Sequence, residues 1–79
     1  MIIEIEGYFN QTVLQADENY SLKEIEKIYL DIKNKIQIID KLPKELCKYY
    51  NMIEVNKNKE IKVDIVIDTD TDRIYKPYY

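Results

Sequence analysis

Asp68-Thr69-Asp70-Thr71-Asp72 is the segment of this 79-residue chain whose residue types and spacing come closest to a chemical site. Carboxylates at alternate positions match the opening of an EF-hand calcium loop. The match then fails twice. The position needing Gly for the sharp turn holds Arg73, and the position needing a bidentate Glu holds Tyr79. The segment is read instead as a hairpin turn, with Asp and Thr side chains bonding to nearby backbone amides. No metal or other cofactor is expected. Crowded carboxylates repel one another, and a basic partner relieves that repulsion. Asp68, Asp70 and Asp72 are therefore candidate contacts to an Arg/Lys-rich protein surface, such as one that normally holds nucleic acid.

Two further groups are candidates for contact with a partner. Tyr75, Tyr78 and Tyr79 cluster at the C-terminal end, and Tyr offers large contact area, few rotamers and a polar tip. The competing reading plugs one or two of them into the core rim and solvates the rest. Leu30 and Ile38 lie off the apolar stripe of their segment, on an otherwise charged side. They are single exposed apolars, or they are covered by a second element, a dimer mate or another partner.

Other chemistry is poorly supplied. The chain has no His, so the commonest general base and metal ligand is missing. Cys47 has no imidazole to activate it and reads as a small apolar residue. Ser21 is the only serine and is needed as a helix cap, and a single Gly excludes glycine-rich phosphate loops. No enzyme is expected. The net charge of −3 and the short basic stretch Asn56–Lys59 argue against a nucleic-acid binder, which needs clustered Lys and Arg. That reading is kept as the alternative, using helix lysines or the Asn56–Lys59 turn, with a calcium-responsive domain behind it. One Cys excludes an intramolecular disulfide and fits a reducing compartment. No leader and no membrane-length apolar run is visible, so a cytoplasmic protein with no membrane contact is expected. The dominance of Ile, Lys and Tyr points to an AT-rich genome, such as a low-GC bacterium or its phages.

These residues need a scaffold, and the chain reads as one α+β domain over residues 1–79. Such a short chain buries only about two-thirds of its surface, which favours homodimerisation. The segment from Ser21 to Leu42 is its centre. Ser21 and Glu24 have capping-box spacing, with Tyr20 and Ile25 at the staple positions. Leu22, Ile25, Ile28, Tyr29, Ile32, Ile36 and Ile39 fall on one arc about 120° wide, and Pro43 predicts an end near residue 41. A short helix follows over 43–50, with Pro43 in its first turn, Leu46 and Tyr50 on one face, and Asn51 closing it.

Residues 1–6 read as a strand, with Ile3 and Ile5 on one face and Ile2, Glu4 and Glu6 on the other. Gly7 marks a bend, a bulge or a turn, and residues 8–16 either return as a second strand, the favoured reading, with a turn around Asn10-Gln11, or form an irregular lead-in to the helix. Ile53 and Val55, then Ile61, Val63, Ile65 and Ile67, alternate with polar residues and Val66. They predict half-buried strands, each with one solvated face. Ile74 marks a third strand, completing a meander joined by two short hairpin loops and ended by Pro77. The predicted architecture is an antiparallel sheet of three to five strands with one long and one short helix on one face, in the order β(β)ααβββ. Its function is that of a small non-catalytic interaction protein, such as an inhibitor or accessory protein of a phage or mobile element acting by occlusion.

Overall fold

The computed structural model of the protein describes residues 1–8 and 11–78. The elements are β1 (Ile2–Glu6), β2 (Gln11–Ala16), α1 (Leu22–Lys33), a 3-10 turn (Ile39–Lys41), α2 (Leu42–Tyr50), β3 (Met52–Val55), β4 (Ile65–Asp68) and β5 (Arg73–Tyr75). The class is α+β, with a five-stranded sheet and two helices. Phe9 and Asn10, part of the segment expected to turn back into the second strand, lie outside the described residues.

α1 starts as its sequence dictates. The Glu24 amide donates to Ser21 Oγ and the Ser21 amide donates to Glu24 Oε1, each at 3.1 Å. Ile25, Ile28, Tyr29 and Ile32 are buried along one stripe. The helix ends at Lys33, however, and not near residue 41. A helix over 21–41 would be about 31 Å long, whereas strands of this length span only ~10–20 Å. The excess would overhang the sheet into water. The chain instead turns at Asn34, and Ile36 and Ile39 reach the core from the link. α2 then starts with Pro43 in its first turn and ends on Asn51 in the left-handed region, φ 56°.

The sheet order is β3-β2-β1-β4-β5. It is mixed, which corrects the antiparallel expectation: β1 and β4 run parallel, with Ile3 beside Ile65 and Ile5 beside Ile67. β4 is fastened to β1 at both ends. The Asp64 amide donates to the Ile2 carbonyl at 2.8 Å, and the Thr69 amide to the Glu6 carbonyl at 2.8 Å. Among the described residues of the last third, only β4 and β5 form a hairpin. β3 pairs with β2 at the opposite edge, so the expected meander is not formed. Residues 56–64 cross from one edge past β2 and β1, and Ile61 and Val63 precede the β4 strand.

One face carries the main core. Ile3, Ile5, Leu14, Ile65 and Ile67 pack there with Ile25, Ile28, Tyr29, Ile32, Leu42 and Leu46 of the helices. The pairing registers set Val55, Val13, Glu4, Val66 and Tyr75 in one row on the other face. Val13, Glu4 and Val66 are buried there, so β4 has no solvated face. The crossing segment supplies the cover: Lys57 reaches Glu4, and Val63 is buried. Burial on both faces is the ordinary condition of a strand in parallel pairing. No helix among the described residues is long and apolar enough to cross a membrane.

Candidate functional site

The ends of β1 and β4 bring carboxylates together. Parallel register places Glu6 directly beside Asp68, and the antiparallel partner of Glu6 on its other side is Gln11. Glu4 lies one row further in, because residues two apart on a strand share a face. Glu6, Gly7, Gln11, Asp68 and Asp70 line a shallow depression of about 320 Å³. No glycine among the described residues has a positive φ, so the backbone does not demand glycine at position 7.

Two of these carboxyls are perturbed in opposite directions. Burial favours protonated Glu4, but the Lys57 ammonium at 2.8 Å and the Gln11 side-chain amide at 3.2 Å outweigh it. They hold Glu4 below its ordinary value. Glu6 has no comparable donor. Burial, then the charges of Glu4 and Asp68, push its carboxyl above the ordinary 4.5. The folded protein therefore holds the Glu6 proton more tightly than the unfolded chain does. Repulsion at Glu6 is absent below pH 4.5 and fully expressed above its raised pKa. Glu6→Gln is expected to stabilise the protein by ~0.2–1 kcal/mol at pH 7, the range for neighbouring like charges on a sheet. Urea midpoints should show that gain disappearing as the pH falls through the raised pKa of Glu6 toward 4.5. A gain that persists in acid would mean that the charge is not its cause.

The three aspartates of the 68–72 segment point to different partners. Asp68 Oδ1 accepts from the amides of Asp70 at 3.0 Å and Thr71 at 3.3 Å, the local turn bonding expected from its composition. Asp70 Oδ1 accepts from the Tyr8 amide at 3.1 Å. Asp72, with φ 57°, turns to α1, where the Tyr29 hydroxyl and the Lys33 ammonium each donate to it at 2.5 Å. Lys33 and Tyr29 hold the Asp72 carboxyl below its ordinary value, and burial together with Asp72 pushes the Tyr29 phenol well up. Among the described residues, no group of three or more ligating side chains is placed to hold a metal ion.

The other expected contact residues are dispersed. Leu30 is exposed and lines a groove of about 270 Å³ with Glu26, Tyr29, Lys33, Asp72 and Ile74. Ile38 is exposed in the link after α1 and does not line that groove. Tyr75 is half-buried beside Val66, with the Arg73 guanidinium 4.9 Å from its ring centre. Tyr78 is fully exposed, and Tyr79 lies outside the described residues. Cys47 sits half-buried against the core, where burial and then the charge of Glu54 push its thiol up and disfavour the thiolate.

Sequence reasoning missed Glu4, Glu6, Gln11 and Lys57. Glu4 and Glu6 were placed on the second face, but their convergence with Asp68 depends on parallel pairing of β1 and β4. The available signal was the similarity of the two strands, Ile3-Glu4-Ile5-Glu6 and Ile65-Val66-Ile67-Asp68, each ending in an acid. Comparison of the chain with protein-family models, with curated proteins and with solved structures finds no match.

Proposed function

We propose that this chain is a small non-catalytic protein–protein interaction module, and that Glu6, Asp68 and Asp70 dock on a basic surface of another protein. The observation that supports this most directly is the crowding at Glu6. Its carboxyl is pushed up first by burial and then by the charges of Glu4 and Asp68, and a cationic group entering the adjoining depression relieves the charge repulsion. Asp70, exposed at the rim, extends the negative patch. Docking there covers the partner's basic surface, so the module acts by occlusion. The Ile/Lys/Tyr-rich composition supports an inhibitory or accessory protein of a phage or mobile element as its setting.

The test is affinity capture from extracts of low-GC bacteria with the native chain and with a Glu6→Gln/Asp68→Asn/Asp70→Asn variant. A specific protein should be retained by the first, lost by the second, and released at about 1 M salt, where the screening length is ~3 Å. Equal capture by both chains removes the acidic end from the mechanism. Retardation of duplex DNA at low salt by the native chain favours the nucleic-acid alternative instead.

A further inference from the structure

We propose that a second copy of this chain docks along the outer edge of β5, joining two five-stranded sheets about a twofold axis through Ile74. This surface is separate from the acidic end, and the inference does not rest on the function proposed above. Among the described residues, nothing pairs with the outer side of β5. An unpaired strand edge presents backbone donors and acceptors that a second strand satisfies. A twofold axis makes the added strand antiparallel and uses the same patch on both copies.

The sequence of β5 complements itself in that arrangement. With Ile74 opposite Ile74, Arg73 of each copy stands opposite Tyr75 of the other. The same two side chains already make a cation–π contact within one chain. One position further out, Asp72 is already held by Tyr29 and Lys33 of its own chain, so the self-complementarity rests on residues 73–75. On the helix side, exposed Leu30 lies in the same groove as Ile74, so each copy offers an apolar pair next to the axis.

The other edge does not complement itself. Centring β3 on Glu54 sets that carboxylate against its own copy, and like charges directly opposite are unfavourable. Centring β3 on Ile53 sets Glu54 against Met52, which is buried. β5 spans only Arg73–Tyr75, and Pro77 follows closely. Main-chain bonds across the axis are therefore few, and Leu30 and Ile74 carry much of the contact. The association is reversible and follows concentration.

Light scattering or sedimentation should give a mass rising from 9.6 kDa toward twice that value as the concentration is raised about hundredfold. In a Cys47→Ser background, Ile74→Cys should form a disulfide-linked dimer under mild oxidation, because residues opposite on the axis come within ~4.5–5.5 Å. Ile53→Cys should not do so. Leu30→Glu, an exposed change that leaves the core untouched, should return the protein to a monomer, whereas Ile38→Glu should not. A mass that stays at 9.6 kDa throughout overturns the proposal. So does cross-linking at residue 53 as fast as at residue 74, or a dimer that survives Leu30→Glu.

Discussion

Val66→Asp is expected to destabilise the protein by ~3–5 kcal/mol, the cost of an uncompensated charge in a dry site. Val66 is 3% exposed and sits directly beside Glu4 across the parallel pair. Lys57 already serves one carboxylate there, and a second would add both desolvation and repulsion. A chain of 79 residues has a total stability of only ~4–12 kcal/mol, so the change removes at least about a quarter of it. At ~4–8 °C per kcal/mol for a small domain, the melting temperature should fall by at least ~12 °C. Thermal denaturation followed by circular dichroism measures this, with Lys62→Asp as control. Lys62 is exposed in the crossing segment, and its change should stay within ~0.5 kcal/mol. The experiment separates two readings of one segment. Strict alternation from Ile61 to Ile67 puts residue 66 in water, where Asp is harmless; the parallel register puts it under cover. A Val66→Asp variant as stable as the native chain would mean that this face of β4 is wet.

That contrast marks the boundary of what local pattern encodes. Ser21 and Glu24 predict the start of α1 because a capping box is a local bond pair that needs no tertiary context. Pro43 and Asn51 mark α2 for the same reason: one lacks an amide hydrogen, and the other tolerates the left-handed region. The end of α1 is different. Ile36 and Ile39 keep helical spacing and remain half-buried, yet they reach the core from a folded-back link. Spacing reports which residues are apolar, while the length of the sheet decides where the helix must stop. Likewise, alternation from Ile61 onward reports one buried side, which a crossing segment satisfies as well as a strand does. Strand pairing across the sheet leaves little local trace beyond the continuous apolar run Ile65-Val66-Ile67. The site was legible to the same extent. Asp68 and Asp70 were visible as a carboxylate cluster, but Glu6 joins them only through the β1–β4 register. Asp72 leaves the cluster because the turn aims it at Tyr29 and Lys33, which lie 43 and 39 residues away in sequence, too far for any local motif to encode.

The crossing segment supplies the second large effect. Lys57→Met should cost ~1–3 kcal/mol at pH 7, because it leaves a buried charged acceptor with the longer Gln11 hydrogen bond, at 3.2 Å, in place of the ion pair. The loss comes from Glu4, whose side chain is 7% exposed, and little of it from Lys57, which is 51% exposed and readily hydrated. Glu4→Leu should therefore cost much less than Lys57→Met, since its neighbours across the sheet are Val13 and Val66. The double variant should recover most of the loss, as apolar replacements of buried ion pairs commonly do. The pH dependence has a definite sign. The native Glu4 pKa lies below 4.5, so its contribution is present above pH 4.5 and is lost as the pH falls through the folded value. Without Lys57, burial dominates and the pKa of Glu4 moves upward. The gap between native and Lys57→Met stabilities is then widest near neutrality and closes in acid, where Glu4 is neutral in both. Urea denaturation of the four proteins across that range measures the gap. A Lys57→Met chain that matches the native one at pH 7 would place Glu4 in contact with water and the 56–64 segment away from it. A constant gap at all pH values would assign the loss to packing of the lysine stem and not to its charge.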